Sequence, residues 1–114
     1  MITIYHNPRC SKSRQTLELL QSKGIEPEII LYLKNPLDQS TITSLLTKLD
    51  ISARELIRAS EPEFKDNFGQ RELTENACIQ AMIDYPKLMQ RPIVEAGERA
   101  VLGRPPENAL DLIP

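Results

Sequence analysis

The opening of the chain leaves few topologies available. Ile2-Thr3-Ile4-Tyr5 is a short β-branched and aromatic run, the composition of a strand. From Ser11 to Lys23 no breaker interrupts a stretch carrying Leu17, Leu19 and Leu20, and Gly24 follows as a stop, which predicts a helix. Pro27 then opens Glu28-Ile29-Ile30-Leu31-Tyr32-Leu33, a near-continuous apolar run of the kind expected of a buried parallel strand. Strand, helix, strand is a βαβ unit, and its crossover is expected to be right-handed.

The middle of the chain reads as helical. Asp38 is placed to cap a helix whose Ile42, Leu45, Leu46 and Leu49 follow the 3.6-residue period. Ser52-Ala53-Arg54-Glu55 has the form of a capping box and opens a short helix through Leu56 and Ile57. Glu61 to Phe68 is weakly periodic and ends at Gly69. Thr74 caps a further helix with Ala77, Cys78, Ala81, Met82 and Tyr85, stopped before Pro86.

Past that point the pattern returns to strands. Pro92-Ile93-Val94-Glu95 and Arg99-Ala100-Val101-Leu102 flank Ala96-Gly97-Glu98, a β-hairpin. Gly103-Arg104-Pro105-Pro106 breaks it, and Pro106 suits the first turn of a closing helix through Leu110 and Ile113. A βαβ half and a ββα half around one mixed four-stranded sheet is the thioredoxin-like α/β arrangement, here with helices inserted between the halves. At 114 residues without repeat or linker, residues 1–114 are expected to be one domain.

Composition removes several classes of function. The net charge is −2, whereas a nucleic-acid binder usually carries a clear basic excess. Trp is absent and aromatics are 4%, too few for a base-stacking platform. No apolar run approaches the ~20 residues that span a bilayer. No signal peptide precedes the first strand, so a cytoplasmic location is expected. Two cysteines are too few for a disulfide scaffold, and with one histidine they cannot form a usual structural zinc site. No metal and no bound cofactor is expected.

What remains is Cys10, which follows the polar loop His6-Asn7-Pro8-Arg9 and directly precedes the first helix. A thiol there meets unpaired N–H groups and the positive end of the helix dipole, which lowers its pKa and favours the thiolate. Arg9, Lys12 and Arg14 add positive charge within a turn, and His6 adds more when protonated. The same helix terminus can hold an anion, with Ser11 and Ser13 as hydroxyl donors. In a dithiol oxidoreductase Ser13 would be the second cysteine of C-x-x-C. Without that thiol Cys10 has no resolving partner in its own motif and needs an external one. Cys78, among apolar helix neighbours, reads as a buried structural cysteine. Arg91 and Arg104 flank the hairpin and are expected at the sheet end that carries Cys10, while Arg58 ends a short helix. An arginine fork grips oxyanions; taken singly, each of these reads as a solvated surface charge.

The segment from Tyr5 to Arg14, with Leu31-Tyr32-Leu33, Arg91-Pro92-Ile93-Val94 and Gly103-Arg104-Pro105, resembles the glutaredoxin-coupled arsenate reductase family, and its shorter members most closely. The resemblance spans essentially the whole chain in order. It implies a thioredoxin-like fold with a helical insertion, in which Cys10 matches the nucleophile and His6 the residue that helps keep it a thiolate. Ser13 and Arg14 match residues that support that thiolate, and Arg58, Arg91 and Arg104 match the arginines that hold the oxyanion. In such folds a cis-proline faces the reactive cysteine, and Pro92 stands where that residue is expected; a plain edge-strand start is its other reading. The chain stops at Pro114, shorter than the members that reduce arsenate, with the core motif intact. The implied reaction is thiolate attack on arsenic(V), entry of glutathione as co-substrate, and resolution by glutaredoxin with release of arsenite. Two other functions share this fold. One is a thiol oxidoreductase acting on glutathionylated or oxidised protein. The other is an Spx-type regulatory domain that contacts RNA polymerase, many of which carry the C-x-x-C switch that Ser13 removes here.

Overall fold

The computed structural model describes residues 1–69 and 71–113. They fall into two compact units. One comprises Met1–Asn35 together with the chain from Arg91 onward, and the other Pro36–Gln90. Between β2 and β3, then, the sequence of the first unit is interrupted by the second, as the helical insertion predicts.

The first unit holds a four-stranded mixed sheet of order β2-β1-β3-β4: β1 (Ile2–Tyr5), β2 (Glu28–Ile30), β3 (Ile93–Ala96) and β4 (Arg99–Leu102). β1 pairs parallel to β2 and antiparallel to β3, so Ile4 lies between Ile29 and Val94. β3 and β4 form the hairpin, with Ala96 opposite Arg99. Gly97 turns the chain at φ +62°, glycine first, as a type II′ connection asks. α1 (Ser11–Ser22) lays Leu20 and Leu17 onto Ile2, Ile4 and Val94. The sequence after the hairpin closes this core as a 3-10 helix, Pro106–Leu112, rather than an α-helix. Its buried residues Pro106, Ala109 and Leu112 recur every three positions, the repeat of a 3-10 turn.

β2 departs from expectation. It ends at Ile30, and the chain turns back on itself, with the Lys34 and Asn35 N–H groups donating to the Leu31 carbonyl. Lying at the sheet edge, it leaves Ile29 45% exposed instead of burying both faces. An apolar run does not say how many neighbours its strand will have. Tyr32, inside the turn, is the buried member of this stretch.

The second unit is helical: α2 (Gln39–Leu49), α3 (Ala53–Leu56), α4 (Pro62–Phe68) and α5 (Glu75–Asp84), then a 3-10 turn at Pro86–Leu88. Three starts use the expected caps. Asp38 Oδ1 accepts from the Thr41 N–H at 2.8 Å, Ser52 Oγ from Glu55 and Thr74 Oγ1 from Ala77. α4 stops at Gly69, whose φ of +60° suits glycine. Leu45, Leu56, Ile79, Met82 and Leu88 are buried in this unit. No helix among the described residues is long and apolar enough to cross a membrane.

Ile4 is fully buried at the centre of the sheet, so Ile4→Ala is expected to cost about 2–5 kcal/mol in chemical denaturation. Ile29→Ala at the exposed edge is expected to cost no more than about 0.5 kcal/mol. Equal losses would contradict the strand order.

Candidate active site

Between β1 and α1 the chain makes a tight turn held mostly by local bonds. The Cys10 N–H donates to the Asn7 carbonyl at 3.0 Å, with Pro8 at the second turn position, where its fixed φ is an advantage. Asn7 Oδ1 accepts from the Arg9 N–H, and the Arg14 guanidinium reaches back to the Pro8 carbonyl at 2.8 Å. The His6 N–H donates to the Ile30 carbonyl and so extends the β1–β2 pairing into the loop. These contacts deliver Cys10 to the N-cap of α1 with extended backbone.

Cys10 is only 9% exposed. Burial pushes its thiol up, but the balance falls the other way. The Ser13 N–H, the Arg91 charge, the Lys12 N–H and a hydrogen bond from Arg91 together hold it below the ordinary cysteine range. Two of these are free backbone donors of the first helical turn. The cation is Arg91, from the far end of the sequence. The sequence pointed to Arg9, Lys12 and Arg14 for that charge; Arg9 and Lys12 are exposed, and Arg14 is bonded to the turn.

Ser13 is fully buried, and its hydroxyl serves the loop. Its Oγ accepts from the Asn7 N–H at 3.0 Å and lies 2.6 Å from His6 Nδ1. The hydroxyl oxygen keeps a second lone pair, so which of the two donates in the His6–Ser13 bond depends on the imidazole tautomer. Burial, and secondarily the Arg14 charge, lower the pKa of His6. At neutral pH His6 is therefore uncharged. The protonated His6 anticipated from the sequence gives way to a neutral one that acts through Ser13. Ser11 stands exposed in the first turn of α1.

The hairpin brings the two proline-linked arginines opposite each other. Ile93 pairs with Leu102. One step outward the Gly103 N–H donates to the Pro92 carbonyl at 2.9 Å. One step further stand Arg91 and Arg104, and both Arg–Pro peptides are cis. Nε and Nη1 of Arg91 are buried and have no hydrogen-bond partner among the described residues. Arg91 thus keeps two buried donors beside Cys10 free to bond an acceptor. Arg104 is exposed. Arg58 belongs to the helical unit, where it pairs with Glu61 and its N–H donates to the Leu88 carbonyl.

Cys78 is buried on α5, and burial together with the Glu75 carboxylate raises its pKa. Asn7, read from the sequence only as part of a polar loop, proves central to the turn. The Asn-Pro dipeptide carried that signal.

The fold defines a thioredoxin-like protein, with a cysteine of lowered pKa at the N-cap of its first helix. The chain belongs to the ArsC family, whose model matches residues 5–112. It is 40% identical over 114 residues to an arsenate reductase of Haemophilus influenzae, covering 98% of each chain. It is 54% identical to the uncharacterized protein YfgD of Escherichia coli, covering 98% of this chain and 96% of that one. Among solved structures, an arsenate reductase from Vibrio cholerae superposes with a TM-score of 0.93 at 40% identity, over 98% of this chain and 97% of the other.

Two outcomes are expected. In single Cys→Ser variants, the pH midpoint of iodoacetamide alkylation should fall below ~8.5 for Cys10 and above it for Cys78. Equal midpoints would contradict the assignment. For His6, a folded-state pKa below the unfolded one means that the native state resists protonation. Its contribution is complete above ~6.5 and is lost as pH falls below that value. His6→Asn, which offers an amide oxygen near the Nδ1 position and does not titrate, should lose less stability than the parent between pH 7.5 and 5.5 in urea denaturation.

Proposed function

We propose that the protein reduces arsenate to arsenite, using Cys10 as its single nucleophile, glutathione as co-substrate and glutaredoxin as the resolving partner. The observation that carries this reading is the Arg91 guanidinium, which touches the Cys10 thiolate and keeps two buried donors idle. The names borne by relatives at 40% identity support the same substrate.

Arsenate enters beside Cys10 with its oxygens on the Arg91 donors, and Arg104, opposite in the hairpin, supplies a second positive charge. The thiolate attacks arsenic(V), a sulfur–arsenic bond forms, and one oxygen leaves as water after protonation. Glutathione displaces a second oxygen in the same way. A glutaredoxin thiolate then attacks the glutathione sulfur. That sulfur leaves arsenic as a mixed disulfide, and the bonding pair stays on arsenic, now arsenic(III). Hydrolysis of the Cys10–arsenic bond frees arsenite and regenerates the thiol. Arg91 serves twice, because the charge that favours the thiolate also offsets the developing oxyanion. With Ser13 in place of a second motif cysteine, the external thiol is required.

The test is arsenate-dependent NADPH oxidation with glutathione, glutathione reductase and glutaredoxin. Cys10→Ser should abolish turnover and Cys78→Ser retain most of it. Arg91→Ala should lower kcat/KM about tenfold to a hundredfold, since a charge-assisted bond lost from a desolvated site costs ~1.5–3 kcal/mol. Arg91→Lys should recover only part, because an ammonium does not reproduce the fork. Folded Arg91→Ala with unchanged kcat/KM would move the reading to a protein-thiol substrate.

A further inference from the structure

Thr16 is a polar residue with no exposed surface, in the middle of α1. Its hydroxyl donates to the Lys12 carbonyl one turn back, at 2.8 Å, and lies 3.3 Å from the Gly103 carbonyl. One proton is shared between two acceptors, with the helix carbonyl the stronger. The backbone of Gly103 is pressed against this hydroxyl. A Cβ there would stand 2.6 Å from Thr16 Oγ1 and 2.7 Å from Pro92 Cγ, both closer than side chains approach. Neither neighbour can swing aside, because Thr is stiff at χ1 and Pro92 is a ring. The Gly103 N–H is also committed, to the Pro92 carbonyl.

Three elements therefore meet at one point, and each carries a member of the site next to it in sequence. α1 starts at Cys10, Pro92 follows Arg91, and Gly103 precedes Arg104. Lys12, whose carbonyl accepts the Thr16 hydroxyl, also supplies one of the N–H groups that hold the Cys10 thiolate. We infer that Thr16, through its contact with Gly103, is a positioning residue that sets the distance between the Cys10 thiolate and the arginine pair. The inference rests on reading Cys10, Arg91 and Arg104 as one oxyanion site.

The experiment needs no turnover. In the full chain carrying Cys78→Ser, Cys10 alkylation by iodoacetamide is followed against pH, and its slowing by added inorganic arsenate gives a half-protection concentration. Thr16→Val removes the hydroxyl at constant shape, Thr16→Ser keeps it, and Gly103→Ala forces the contact apart from the other side. Thr16→Val and Gly103→Ala should raise the alkylation midpoint by about half a unit or more, and the half-protection concentration about tenfold. Thr16→Ser should match the parent. A folded Thr16→Val with the parent midpoint and protection overturns the inference. So does a Thr16→Ser shifted as far as Thr16→Val. Where Thr16→Val does not fold, a folded Gly103→Ala identical to the parent overturns it equally. If arsenate fails to protect even the parent, the oxyanion reading falls, while the midpoints still report whether Thr16 positions Arg91 against the thiolate.

Discussion

Burying a cysteine by nine-tenths disfavours its thiolate, and the first unit supplies donors and a charge that outweigh that burial at Cys10. Two donors come free with any helix start, because the first N–H groups of α1 have no partner within the helix. They become useful only when a side chain is delivered to the N-cap. The Asn7–Cys10 turn does this, with Pro8 presetting one dihedral and Asn7 bonding on both its backbone and its side chain. The remaining charge comes from Arg91, which only the pairing of β1 with β3 brings to the same place. Local chemistry provides the dipole and sheet topology provides the cation.

The neutrality of His6 follows from the same economy. A second positive charge beside Cys10 would also have favoured a thiolate, but His6 is buried and Arg14 already lies nearby. Neutral, it bonds Ser13, and the Ser13 hydroxyl oxygen in turn accepts from the Asn7 N–H. One short polar chain thus joins the end of β1 to the first turn of α1. Ser13 occupies the position where a dithiol enzyme carries its second cysteine, and here that position holds the loop together instead.

Features with a local cause were legible in the sequence. The caps at Asp38, Ser52 and Thr74, the stop at Gly69 and the placement of Cys10 at a helix start each depend on residues a few positions apart. The hairpin was legible too, although its turn is tighter than expected by the one residue Ala96, which stays in β3. What escaped depends on neighbours distant in sequence. β2 looked buried because its residues are apolar, yet burial depends on strand order. Arg91 was read as a substrate ligand, and its hold on the thiolate emerges only once β3 lies beside β1. The protonation of His6 could not be read from residue type, because its environment is assembled from the end of β1, Ser13 and Arg14. The 3-10 closure was legible in principle, in the three-residue spacing of Pro106, Ala109 and Leu112.

The interruption of the first unit by residues 36–90 bears on how the chain acquires its structure. The sheet's central pairing joins residues as distant as Ile2 and Ala96, at opposite ends of the chain. β1 therefore waits for its antiparallel neighbour until most of the polypeptide has left the ribosome, holding Ile2 and Ile4 without half of their eventual cover. The helices of the intervening segment rest on near-neighbour contacts and can form during that wait. Closing the sheet last over so long a loop makes the β1–β3 encounter the entropically expensive event in folding. Arg91, whose charge helps to lower the Cys10 pKa, arrives with that event, so an incomplete chain carries the cysteine without that charge beside it.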